Sequence, residues 1–149
     1  LKAAWKPLFE RYAVDLVLQG HDHCYSRLSN EAGRAAAKQA HAAGKVQGPV
    51  YMVSVAGSKM YGLNDRAHQQ PDRSAEETQL YQTIEVGASR LQVRSYTANG
   101  RLYDAFDLNR DKQGRIRLSE PAQKLPTERF CNGDQGPDQL PCKSRDKSL

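Results

Sequence analysis

Ala4, Trp5, Leu8, Phe9 and Tyr12 recur at the three-to-four spacing of one helix face, which predicts an amphipathic helix over residues 1–12. Pro7 falls inside that stripe. Its missing amide hydrogen and fixed φ place the start of regular helix near Lys6, or a kink there. Val-Asp-Leu-Val-Leu at 14–18, closed by Gly20, reads as a short buried strand emerging into a loop. Residues 31–44 hold seven alanines and no apolar stripe wide enough to anchor a helix in a core, so they read as an inserted surface segment. After Gly48 and Pro49, Val50–Ala56 reads as a second buried strand closed by Gly57. Residues 63–78 are polar, contain Pro71 and read as a long loop. Residues 80–86, 90–96 and 102–108 then alternate apolar and polar positions, as strands with one wet face do. Turns at 87–89 and at Asn99-Gly100 join them into a three-strand antiparallel meander. From Asn109 onward apolar residues thin out, which predicts a polar, loosely packed tail over 109–149. No internal repeat is visible.

Composition narrows the picture. A chain of 149 residues suits one domain with a tail better than two independent cores. No run approaches the roughly 18 apolar residues of a spanning helix, so no membrane span is expected. The chain opens at Leu1 without a leader-like series, and the expectation is a processed chain or a piece of a longer one, with any targeting signal upstream. The net charge of +5 comes from basic residues dispersed from Lys2 to Lys147, often beside Asp or Glu. That is the pattern of a solvated surface, and no nucleic-acid partner is expected. Of three cysteines, Cys131 and Cys142 flank a stretch rich in Gly, Pro and polar residues that cannot pack by itself. A disulfide between them is expected, with two free thiols as the alternative. A bridge there would leave Cys24 odd and would point to an oxidising compartment.

The chemistry concentrates at Gly20-His21-Asp22-His23. In an extended segment, residues two apart project to one side, so His21 and His23 could offer imidazoles to one point while Asp22 faces away. Gly20 lets the backbone turn just past a strand's carboxyl end, where sheets carry their sites. Imidazole suits zinc, iron and manganese, but two ligands are too few to hold an ion tightly, so others must be borrowed. The competing reading is a pair of surface histidines. His41 in the alanine segment and His68 in the polar loop read as solvated. A zinc cluster of Cys24, His21, His23 and Cys131 or Cys142 would match no standard spacing. Gly57-Ser58-Lys59 and Gly44-Lys45 lack the glycine spacing of a phosphate-binding loop.

The run Val14-Asp15-Leu16-Val17-Leu18-Gln19-Gly20-His21-Asp22-His23-Cys24-Tyr25-Ser26-Arg27 resembles the last metal-binding motif of calcineurin-like metallophosphoesterases, in the form used by purple acid phosphatases. There Gly-His-x-His precedes an Ala-Tyr-Glu-Arg-like segment; Tyr25 and Arg27 match it, whereas Cys24 and Ser26 depart. The helix before the motif, Gly48-Pro49-Val50-Tyr51 and the strands from Tyr81 through Leu108 are similar to the family's corresponding parts, so the resemblance spans residues 1–108. It implies that His21 binds one metal and His23 the other in a two-metal centre of iron, zinc or manganese that hydrolyses phosphate esters. Tyr25 and Arg27 would wall the site, with a purely structural role as the alternative. The family's upstream motifs, Asp-x-His, Gly-Asp-x-x-Asp and Asn-His-Glu or Asn-His-Asp, do not occur here. Gly133-Asp134-Gln135-Gly136-Pro137-Asp138 imitates one with the wrong order and spacing.

The resulting expectation is an α/β chain, in the α+β sense: part of a metallophosphoesterase β-sandwich flanked by helices and ending in an antiparallel meander. Residues 1–108 would be the C-terminal half of that domain. The chain would be inactive alone, would need the N-terminal part of the same protein as its partner, and would act on a phosphate ester in a periplasmic or secreted setting. Metal identity, the particular ester and the oligomeric state are not legible in the sequence. The alternative is a non-catalytic binding or interaction module of the same fold.

Overall fold

The computed structural model describes residues 2–29, 49–63, 71–131 and 133–142. Helix α1 runs Lys2–Arg11 with Pro7 inside it, so regular helix begins ahead of Lys6. Pro7 gives up one backbone bond, but the face remains anchored. Trp5 stacks on Phe9 at 6.1 Å between ring centroids, and Phe9 meets Tyr51 at 6.4 Å. The helix ends in a paired closure in which Val14 N–H donates to the Phe9 carbonyl at 2.9 Å and Ala13 N–H to that of Glu10 at 3.2 Å. Ala13 takes φ +49°, the left-handed position usual for this cap.

Two four-stranded sheets follow. The first contains β1 (Leu16–Gln19), β2 (Tyr25–Leu28), β3 (Val50–Val53) and β4 (Arg73–Ala75) in the order β1-β3-β2-β4. Strands β1 and β3 are parallel, with Leu16 opposite Val50 and Gln19 opposite Val53. Strand β2 is antiparallel to both of its neighbours. The second sheet is the meander β5 (Leu80–Val86), β6 (Arg90–Thr97), β7 (Leu102–Arg110) and β8 (Ile116–Ser119), each strand antiparallel to the next. Gly100 holds φ +82° at the turn between β6 and β7, where a left-handed residue matches the strand twist.

Several sequence expectations change. The first strand starts at Leu16 rather than Val14, because Val14 is used in closing α1 and the Asp15 carbonyl accepts from Val50 N–H at 3.0 Å. It is not buried: β1 is a sheet edge, and Leu18 is 56% exposed. Strand β4 lies inside the expected loop 63–78, and the expected tail supplies β8, whose Leu118 joins the core. The meander therefore has four strands. Strands of three or four residues are too short to show a period. The alanine-rich insertion, His41 and His68 lie outside the described residues.

One core serves both sheets. Tyr25, Val50, Met52 and Ala75 from the first meet Leu80, Val93, Tyr103, Phe106, Leu108 and Leu118 from the second. The fold is mostly β, and α1 is the one helix among the described residues. No helix there is long and apolar enough to cross a membrane.

The core has a polar centre. Arg27 and Asp104, each 1% exposed, form a two-point pair, with Arg27 Nε 2.8 Å from Oδ2 and Nη2 3.2 Å from Oδ1. The Tyr25 hydroxyl donates to the same Oδ2 at 2.7 Å and accepts from Ser95 Oγ at 3.2 Å. Arg27 Nη2 also reaches Glu120 at 2.7 Å, and its guanidinium carbon lies 5.0 Å from the Phe106 ring centroid. Burial alone would lower the Arg27 pKa, but Asp104 outweighs it and holds the guanidinium above the usual arginine range.

A C-terminal strap completes the fold. Ala75 and Arg129 form a parallel bridge, Glu76 N–H donates to the Arg129 carbonyl at 3.0 Å, and Cys131 and Cys142 are disulfide-bonded with Cα atoms 5.8 Å apart. The buried Tyr103 hydroxyl donates to the Ser74 carbonyl at 2.5 Å and accepts from Arg129 N–H at 2.9 Å.

Two predictions follow from this core. Asp104→Ala leaves the buried Arg27 only the part-exposed Glu120 as a carboxylate partner, removes the acceptor of the Tyr25 hydroxyl, and should lower unfolding free energy by about 3–5 kcal/mol, read from urea midpoints; a loss below about 1 kcal/mol would show that the pair is not structural. Burial raises the Tyr103 pKa to about 12, above its unfolded value of about 10. The folded state then binds more protons than the unfolded one in that interval. Stability should hold below about pH 10 and decline as pH rises from there through about 12, and Tyr103→Phe should remove that part of the decline.

Candidate metal centre

Parallel pairing of β1 with β3 brings the segments that follow them to the same sheet end. After β1 comes Gly20-His21-Asp22-His23-Cys24, and after β3 the stretch from Ser54 to Tyr61. Ser54 N–H donates to the Gln19 carbonyl at 3.3 Å, so the two segments leave the sheet side by side.

Residues 21–24 form a run of bends rather than a strand, and His21 is exposed with φ +79°. The alternation that would set His21 and His23 on one side therefore does not apply to them; it begins at Tyr25. His23 is half-buried and held at several points. Its carbonyl accepts from Tyr61 N–H at 2.8 Å, its Nδ1 lies 2.5 Å from the Lys59 carbonyl oxygen, and its ring meets that of Tyr61 at 4.9 Å. Lys59 Nζ sits 5.3 Å from the Tyr61 ring centroid. A carbonyl oxygen can only accept, so Nδ1 carries the hydrogen in this bond. In the neutral ring Nε2 is then the nitrogen without a hydrogen, the tautomer in which a histidine can act as a ligand.

Tyr25 and Arg27 do not wall this turn. They are 0% and 1% exposed and face the core, because alternation along β2 carries both inward to Asp104. Cys24 is a free, half-buried thiol. Burial, with the charges of Asp22 and Glu76 adding, raises its pKa to about 11, so it is protonated near neutrality. Cys131 and Cys142 are bonded to each other, which removes them as thiolate partners for His21 and His23 in this state. Asp138 of the imitation motif pairs with Arg129 at 2.9 Å.

Among the described residues, one group of three His, Cys, Asp or Glu side chains brings its ligand atoms within 4.8 Å of one another, and it is Glu77, Cys131 and Cys142. His21 and His23 have no such third partner there. Sequence reasoning missed Lys59 and Tyr61. The signal that could have found them is a second apolar strand ending in glycine, at Gly57, if read as parallel to the first. No protein-family model matches the chain, and neither a curated protein nor a solved structure matches it.

The His23 geometry is testable by itself. Nitrogen–proton correlation spectra at a pH where the ring is neutral should show the Nδ1–H tautomer for His23, and a dominant Nε2–H form would remove the orientation described above.

Proposed function

We propose that this chain is the C-terminal part of a metal-dependent phosphoesterase, to which the Gly20–His23 turn contributes two imidazoles of a two-metal centre. The observation supporting this most strongly is the His23 ring, fixed by the Lys59 carbonyl at Nδ1. A pair of iron, zinc or manganese ions, when bound, polarises a phosphoryl group and activates water. The chain's own residues orient the ligands. Lys59 fixes the His23 tautomer and ring angle, and Tyr61 covers part of one ring face. His21 is exposed on its left-handed turn, two residues before His23.

The carboxylates that would bridge two cations belong, on this reading, to upstream sequence, and the chain alone is inactive. The substrate is a phosphate ester. The disulfide and the resemblance favour a periplasmic or secreted setting.

Elemental analysis and hydrolysis of an aryl phosphate, compared for this chain and for a version extended upstream by about one domain, test the reading. Only the extended form should hold about two ions and turn over the ester, and His21→Ala or His23→Ala in it should abolish hydrolysis. An extended form that is metal-free and inert would replace catalysis with a binding-module role.

A further inference from the structure

We propose that Glu77, Cys131 and Cys142 form a site for one thiophilic divalent cation of the zinc class when the Cys131–Cys142 disulfide is reduced. The three ligand atoms already converge within 4.8 Å, and Glu77 Oε2 lies 3.8 Å from Cys131 Sγ. A tetrahedral zinc with Zn–S near ~2.3 Å sets its two sulfurs about 3.8 Å apart, inside the 4.8 Å span of the three ligand atoms.

The strap is positioned to keep them adjacent after the bond is cut. Cys131 N–H donates to Glu76 Oε1 at 2.5 Å, which ties it to the segment carrying Glu77. Cys142 N–H donates to the Asp134 carbonyl at 2.8 Å, and Gly136 N–H to that of Leu140 at 3.0 Å. Arg129 spans the two limbs, with Nη1 2.8 Å from the Glu76 carbonyl and Nη2 3.1 Å from that of Pro141. None of these bonds uses a sulfur atom of the bridge.

Arg129 also faces the site. Two thiolates and a carboxylate carry three negative charges and a divalent ion leaves one; the guanidinium lies beside it, with Nη1 3.2 Å from Cys131 Sγ, while its Nε pairs with Asp138 at 2.9 Å. Hydrogen bonds to ligating sulfur of this kind tune metal sites. Three protein ligands leave a fourth position for water.

The redox step balances with a dithiol reductant. The Sγ–Sγ bond accepts two electrons and two protons, the reductant closes its own disulfide, and ion binding releases the two thiol protons.

The test is a cobalt titration of the oxidised chain and of the chain reduced with a phosphine, followed by zinc competition. The reduced chain should bind one cobalt with thiolate-to-metal charge transfer that zinc abolishes, while the oxidised chain shows none. Cys142→Ser should eliminate the band. Glu77→Gln should weaken binding at least ~10-fold, as loss of outer-shell partners alone commonly does. Circular dichroism of the reduced chain should retain its β signature. Equal binding with and without Glu77, or binding only by an unfolded reduced chain, would overturn the proposal, as would no charge transfer at all. His21→Ala/His23→Ala should leave this binding unchanged, and its loss in that variant would assign the ion to the candidate metal centre instead.

Discussion

A guanidinium and a carboxylate are sealed between two sheets, and the arrangement of both depends on that contact. Arg27 belongs to β2 and Asp104 to β7, so their two-point bond is a strut between sheets that also meet through apolar side chains and through the Tyr25–Ser95 and Tyr103–Ser74 hydrogen bonds. Desolvating two charges is costly, and a hydrophobic pair of equal volume could be as stable or more so. Such a pair would be less particular about position. The Arg27–Asp104 geometry accepts one register of β2 on its neighbours, because a slip of one residue would turn both Tyr25 and Arg27 out of the core. The neighbouring groups make the same demand, since the Tyr25 hydroxyl and Ser95 share the Asp104 end of the network.

What could be read from the sequence follows how far each pattern extends. Strands β5, β6 and β7 run for seven, eight and nine residues, long enough for alternation to mark them, and Asn99-Gly100 marks a turn by its own chemistry. Strands β2, β4 and β8 have four, three and four, and only their partners reveal them. The candidate site divides in the same way. Spacing alone singled out His21 and His23. The backbone that carries them is a bent turn, however, and the groups that fix His23 come from a segment 36 residues away, a contact that no local pattern encodes. Tyr25 and Arg27 stood out as matches to a motif, yet their partner lies 77 residues or more along the chain, and it draws them inward.

The strap shows how one side chain can substitute for regular structure. The described residues of 126–142 contain little strand, but Arg129 reaches the Glu76, Leu140 and Pro141 carbonyls, the Asp138 carboxylate and the Cys131 sulfur. A guanidinium is suited to this because its five donors lie in one rigid plane. Through the Ala75–Arg129 bridge the strap also covers one edge of the first sheet, while β1 at the opposite edge leaves Leu18 open to solvent. Covered edges resist unwanted pairing and open ones invite it.

The turn that carries His23 is clamped at both ends, by β1 on β3 before it and by the buried Tyr25 and Arg27 immediately after it. Each residue fixed in one backbone conformation loses about 1–2 kcal/mol of configurational entropy. Here that loss occurs when the domain folds rather than when a ligand arrives. Whatever associates with His23 meets a ring whose angle, depth and protonated nitrogen have already been selected, so its affinity is set by its own chemistry and little is given up to ordering the loop.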